Sequence, residues 1–249
     1  MTNSTEPSPK LQAKQELLAL LQEKVRRAKT RKLFGYYPNS GPLRRELYPR
    51  HLEFFEAGAR YRERCFMAAN RIGKTEGAGG YETTLHLTGL YPAWWKGRRF
   101  DRSVDWWAAG KTNETTRDIV QAKLLGGIAF ADGRKGVSGT GLIPGEMIGS
   151  ITWKQGVADL IDTVQIKHAS GGWSTLGLKS YQQGRGAFEG TEKHGIWLDE
   201  EPPLDIYGEC LIRTATTGGL VMITFTPLDG MSQTVTTFLP SEYRGDLNA

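Results

Sequence analysis

Eight consecutive residues, Ala68-Ala69-Asn70-Arg71-Ile72-Gly73-Lys74-Thr75, have the types and spacing of a phosphate-binding loop, G-x-x-x-x-G-K-S/T, with alanine in the first position. The chemistry explains the residue types. Gly73 lets the backbone approach phosphate oxygens, and successive N–H groups at the start of the following helix form an anion nest. Lys74 would place a point charge on the β- and γ-phosphates, and the Thr75 hydroxyl would ligate Mg²⁺, so the expected ligand is ATP–Mg. Ala69, Asn70, Arg71, Ile72 and Glu76 complete the cradle. Ala68 carries a Cβ where glycine is usual and does not readily take φ > 0, so the loop entry must differ.

A second cluster follows about 120 residues later. Gly195-Ile196-Trp197-Leu198-Asp199-Glu200-Glu201-Pro202 is an apolar run ending in carboxylates, as expected of a buried strand that delivers acids to a ligand edge. Asp199 suits the metal and Glu200 the attacking water, with Glu201 as its substitute. The run 220–225 ends in Thr224-Phe225-Thr226-Pro227, whose alternate hydroxyls, Thr224 and Thr226, are placed to sense a γ-phosphate. Two arginines are candidates for neutralising transition-state charge: Arg71 within the loop, and Arg185 in the glycine-rich stretch 179–191, reaching a neighbouring subunit. Tyr48-Pro49-Arg50-His51 precedes the loop by some twenty residues; Tyr48 and His51 would hold an adenine ring, or the segment is simply a helix start with Pro49 in its first turn.

These groups need elements to position them. The pattern predicts a strand over 63–69, a helix over 73–89, a strand over 103–110, and a helix over 112–125 capped by Thr112 or Asn113. The stretch 126–149 is glycine-rich without periodicity and reads as a surface loop. Shorter strands over 150–153, 163–168 and 173–178 suggest a hairpin system. A buried strand over 194–198, a helix over 204–214 and a strand over 220–225 close the pattern. Strand–helix alternation at this spacing implies an α/β fold, a P-loop NTPase with a mainly parallel sheet flanked by helices. Ligands then bind beyond the carboxyl ends of the strands, where all three motifs fall. The tryptophan pairs Trp94–Trp95 and Trp106–Trp107 read as core or interface material.

Before this domain, assigned to 36–249, comes an arm over 1–35: a polar tail over 1–9, then an amphipathic helix over 10–32 with Leu11, Leu17, Leu18, Leu20, Leu21 and Val25. The arm holds eight basic residues against three acidic ones, an excess that equals the whole net charge of +5. It is therefore a contact for nucleic acid or an acidic partner, or else a solvated helix face. Cys65 and Cys210 are expected as buried free thiols, and no run reaches the ~18 apolar residues of a membrane span.

The loop AANRIGKTE, the run SYQQGRGAFEGTEKHGIWLDEEPP and the strand ITFTP resemble the large subunit of tailed-bacteriophage terminases over roughly 48–230. The resemblance implies an ASCE-type ATPase that drives double-stranded DNA into a procapsid. It implies Walker A at Lys74 and Thr75, Walker B and its catalytic glutamate at Asp199 and Glu200, and a coupling motif over 224–226. Tyr48 and His51 stand where the family places its adenine motif, with His51 in place of the usual glutamine. Implied partners are duplex DNA, a portal protein, a small terminase subunit and further copies in a ring, in the cytoplasm of an infected bacterium. Family members carry a nuclease domain after the ATPase. This sequence stops about twenty residues past the coupling motif, so an isolated motor domain without nuclease activity is expected. The competing readings are a helicase-like translocase and a non-catalytic nucleotide-binding module.

Overall fold

A computed structural model of the protein describes residues 9–228, 230–240 and 242. The polar tail read over 1–9 lies outside the described residues except for Pro9, which opens the first helix, α1 (Pro9–Thr30). Next come α2 (Pro49–Ala57) and strand β1 (Glu63–Met67). After the loop a π-helical segment, Lys74–Gly80, runs into α3 (Tyr81–Thr88). Strand β2 (Asp105–Gly110) precedes a helix over 113–125, here α4. Strands β3 (Ile128–Ala131), β4 (Arg134–Val137), β5 (Ile148–Trp153), β6 (Ile161–Lys167) and β7 (Trp173–Ser180) follow. Strand β8 (Gly195–Asp199), α5 (Leu204–Ala215), β9 (Leu220–Phe225) and α6 (Gln233–Phe238) are the last among the described residues.

Seven strands form one sheet in the order β1-β9-β8-β2-β7-β6-β5. The first five are parallel, and β7-β6-β5 continue as an antiparallel meander. Both faces of the parallel part are covered, which is why β8 and β9 are apolar except for Asp199 and Thr224 near their carboxyl ends, and are buried at every position. The period of two sends Trp106 to one face and Trp107 to the other. On the Trp106 side lie Phe54 and Phe55 of α2, Leu85 and Leu87 of α3, and Val120 and Leu124 of α4. On the Trp107 side lie Ile206, Tyr207 and Cys210 of α5, with Phe188.

Helix α4 starts where Thr112 caps it: the Thr115 N–H donates to Thr112 Oγ1 at 3.1 Å, and the Thr112 N–H to Thr115 Oγ1 at 2.9 Å. The expected surface loop over 126–149 is instead partly structured. It holds the β3–β4 hairpin, closed by Asp132 and Gly133 at φ 50 and 70, and it buries Leu142 and Ile143 in the core. Two positive φ values form the two-residue turn that matches strand twist. Along α1, Leu17, Leu18, Leu20, Leu21 and Val25 are exposed. Its C-terminal end is tied to the sheet domain by Arg31 to Glu146 and, just beyond, Lys32 to Glu76. Cys65 and Cys210 are both free thiols; Cys210 is buried, and burial pushes both up to about 12. No helix among the described residues is long and apolar enough to cross a membrane.

Candidate functional site

The carboxyl ends of the parallel strands deliver their following residues to one edge, around a cavity of about 900 Å³. β1 delivers the phosphate loop, β8 delivers Glu200, β9 delivers Thr226, β2 delivers Lys111 and β7 delivers Tyr181; all but the loop's outer residues line the cavity. Loop and acidic strand, 124 positions apart, meet because β9 lies between β1 and β8.

Asp199 is 3 % exposed. Its carboxylate accepts from Thr75 Oγ1, at 3.0 Å to Oδ1 and 3.2 Å to Oδ2, and from Thr224 Oγ1 at 2.8 Å to Oδ1. The Thr224 hydroxyl in turn accepts from Trp197 Nε1 at 2.8 Å. Burial pushes Asp199 up to about 7, against the pull of the two hydroxyls and of Lys74. Thr75 and Asp199 are hard oxygen donors. A single carboxylate with a hydroxyl is the sparse protein set Mg²⁺ takes when substrate phosphates and water supply the rest, and the cation would restore the charge that burial disfavours. The residues fit the metal.

Lys74 donates to the Ala69 carbonyl and to Thr226 Oγ1, both at 2.7 Å, and burial lowers its pKa. The ammonium is thus held by two neutral, exchangeable acceptors. Thr226 Oγ1 also lies 2.8 Å from Asn70 Oδ1 and 3.0 Å from the Ala68 carbonyl, tying β9 to the loop. Gly73 has φ 87 and Arg71 φ 66, so two left-handed residues shape the loop; at Arg71 that conformation carries a steric cost glycine avoids. The Arg71 side chain is exposed. Ala69, Asn70, Ile72 and Gly73 are exposed with it.

Glu200 also sits at positive φ, 67, and its side chain has no hydrogen-bond partner among the described residues. Tyr181 Oη braces this turn by donating toward the carbonyls of Asp199 and Glu200 at 2.9 and 3.1 Å. Glu201 accepts from Ser232 instead. Arg185 is held in its own chain by Glu209, at 3.1 Å from Nε and 3.0 Å from Nη2, and does not line the cavity.

Tyr48 and His51 do not line the cavity either. His51 is buried against the loop's other side, with Nε2 3.0 Å from the Ile72 carbonyl and Nδ1 2.6 Å from Tyr37 Oη. Tyr37 Oη also lies 2.6 Å from the Gly77 carbonyl, so its one proton is shared between that oxygen and Nδ1 while Nε2–H donates to the Ile72 carbonyl. Both ring nitrogens are thus spent on bracing the loop and the helix after it, and burial lowers the imidazole pKa. Glu76 points the other way, to Lys32, Lys123 and Tyr36, which hold its carboxylate down at about 2.

Sequence reasoning did not find Trp197, Tyr181 or Tyr37 as parts of the site. The one available signal was the run Gly77-Ala78-Gly79-Gly80: a Cβ at Gly79 would sit inside the Trp197 indole, so the small residues let this segment close onto β8.

The sequence profile described as "Terminase large subunit, T4likevirus-type, N-terminal" matches residues 65–246. The terminase large subunit of Salmonella phage P22 is 41% identical over 243 residues, an alignment taking in 90% of this chain and 46% of that protein. The chain therefore spans about half the length of that relative. A mutant of the large terminase ATPase domain of Thermus phage P74-26 superposes with a TM-score of 0.50 at 14% identity, covering 79% of this chain and 68% of that one. At that identity the likeness concerns the fold alone.

Proposed function

The chain belongs to the terminase large-subunit family, and from that premise we propose that it is an ATP-hydrolysing motor domain powering translocation of double-stranded DNA into a procapsid. The observation that carries this reading is the Thr75 hydroxyl within 3.0–3.2 Å of both Asp199 carboxylate oxygens, beside Lys74 and below Glu200. Thr75 and Asp199 would hold Mg²⁺, whose chemistry is to offset charge on the β- and γ-phosphates. Lys74 leaves the Ala69 carbonyl and Thr226 to meet the γ-phosphate. Its departure frees the Thr226 hydroxyl, which gives β9 a direct report of phosphate occupancy. Glu200 orients water for in-line attack: the new P–O bond forms, the bond to the β–γ bridging oxygen breaks, and the proton passes to the carboxylate or to phosphate. Arg71, exposed on the loop, neutralises transition-state charge from within the same chain. Arg185 would have to leave Glu209 to reach a neighbouring subunit's phosphate.

His51 acts here as a brace of the phosphate loop, and adenine recognition falls to Tyr48 and the loop's exposed rim. The partners of this reading are duplex DNA, a portal protein, a small terminase subunit and further copies in a ring, in the cytoplasm of the infected bacterium.

The test is steady-state phosphate release from ATP–Mg. Wild type turns over, Lys74→Ala does not, and Glu200→Gln binds ATP without hydrolysing it. Wild-type turnover that survives Lys74→Ala undiminished would sink the assignment.

A further inference from the structure

The meander β5–β6–β7 has two different faces. Ile148, Ile151, Val164, Ile166, Leu176 and Leu178 pack into the core on the Trp106 side. The opposite face carries Thr152, Thr163, Gln165, Thr175 and Lys179, none of them fully buried, with Thr152 and Ser150 exposed. A sheet that faces water reads this way, yet this face also holds an organised set of cations and indoles. Trp173 is 50 % exposed and reaches across the sheet to Gly149 on β5, where a Cβ would meet its ring at 2.5 Å. Trp107 lies similarly against Gly177, at 2.8 Å. Each indole orders lysines. Lys167 Nζ is 5.1 Å from the Trp173 centroid, and Lys179 and Lys193 are 4.8 and 5.0 Å from that of Trp107.

The charges do not balance within the fold. Lys154 pairs loosely with Asp162 at 3.6 Å, and Lys167 donates to the Gly171 carbonyl. Lys179 and Lys193 form no ion pair among the described residues. The carboxylates that face the group are Asp105, Asp162 and Glu192, while Lys154 and Lys193 crowd Lys179 with like charge and, with burial, depress its pKa. Lys154, Lys179 and Lys193 gather near these carboxylates, with Lys167 farther along the same face. Three of the four are ordered by flat indoles, and with the hydroxyl and amide groups between them they make the donor set of phosphate-backbone contact. A protein-binding face would instead be depleted of lysine at its centre.

We infer that the open face of β5–β6–β7, with Lys193 at its margin, is a contact surface for the phosphate backbone of the DNA. The identity of the partner rests on the translocation reading above; the surface itself rests on this geometry. Strands about 4.8 Å apart from β5 to β2 give a face roughly 15 Å across, enough for several phosphates of a duplex.

The test is fluorescence anisotropy of a labelled random-sequence duplex without nucleotide, between 50 and 200 mM salt. Each lost phosphate contact lowers the slope of log affinity against log salt by about 0.9. Joint Lys167→Gln, Lys179→Gln and Lys193→Gln is therefore expected to flatten the slope by about 2–3 and to weaken binding at least tenfold at 100 mM salt. Thr152→Glu with Ser150→Glu, at exposed positions that leave the core untouched, is expected to weaken binding in the same direction. Joint Lys10→Gln, Lys14→Gln and Lys24→Gln on α1, an equal charge loss elsewhere, is expected to keep more of both slope and affinity. Face variants that bind duplex with the wild-type slope would overturn the proposal, as would equal losses in the face and α1 variants, or no duplex binding by the wild type at 50 mM salt. DNA-independent phosphate release is measured alongside and stays at the wild-type rate in the face variants. Failure of this surface is thus separable from failure of the ATPase reading.

Discussion

Thr224→Val exchanges one hydroxyl for a methyl of similar shape, at a position 1 % exposed. The lost oxygen serves two partners, accepting from Trp197 Nε1 and donating to Asp199 Oδ1, each at 2.8 Å. Leaving the indole N–H buried without a partner costs roughly 1–3 kcal/mol, and removing a hydrogen bond to the carboxylate roughly 1.5–3 kcal/mol. Together the substitution should cost roughly 3–5 kcal/mol, a large part of the ~5–15 kcal/mol that holds a domain folded. Denaturant unfolding at constant m-value measures it. In a Trp197→Phe background the indole donor is already gone, so Thr224→Val should cost about 1–3 kcal/mol less there, a coupling a double-mutant cycle resolves. Thr224→Ser keeps the hydroxyl and should restore most of the loss. ATP turnover should fall with stability held above threshold, because Asp199 loses the group that aims Oδ1. A Thr224→Val protein within 1 kcal/mol of wild type, or a cycle with no coupling, would refute the view that Trp197 fixes the acidic strand end through Thr224.

Gly79→Ala should destabilise by about 1–3 kcal/mol through overpacking, since the new methyl overlaps Trp197; tryptophan fluorescence should report the displaced indole, and an unshifted spectrum with unchanged stability would argue against close helix–strand contact there. Glu76→Gln should lower the melting temperature at pH 7 by loosening Lys32, Lys123 and Tyr36. The Glu76 carboxyl is depressed from 4.5 to about 2, so its contribution is complete above pH 4.5 and is lost as the pH falls toward 2. The difference between wild type and variant should therefore be flat from pH 7 to 5 and shrink below 4.5; a gap that widens on acidification would contradict it.

The two halves of the site were legible because each is local. A loop of eight residues and an apolar run ending in Asp199-Glu200 declare themselves by spacing, and their elements lie within a few residues of the expected bounds. What sequence could not supply is non-local. That β9 separates β1 from β8, that Trp197 and Thr224 share a hydrogen bond, and that Tyr37 reaches His51 and Gly77 are consequences of strand order and helix approach. The hairpin over 128–137 is a different kind of miss. Its Asp132-Gly133 turn was written in the sequence, but short strands among many glycines carry too weak an alternation to outweigh them.

Backbone conformation favours Glu200 over Glu201 as the water-orienting group where residue type leaves both open. Both carboxylates follow Asp199, and both line the cavity. Glu200 takes φ 67, a conformation that costs a β-substituted residue of order 1–3 kcal/mol and persists only where the surroundings over-determine it. Here the surroundings are named: the Glu200 N–H donates to the Thr224 carbonyl at 2.9 Å, and Tyr181 Oη holds the carbonyls on either side of the turn. The turn sends Glu201 toward Ser232 and leaves the Glu200 side chain without a hydrogen-bond partner among the described residues, facing the same cavity as Lys74. A strained backbone that ends in an unspent carboxylate is the arrangement a water-orienting group requires, because its oxygens must be free when substrate arrives. On this argument Glu201→Gln should retain turnover where Glu200→Gln abolishes it, and equal loss in both would remove the distinction the turn provides.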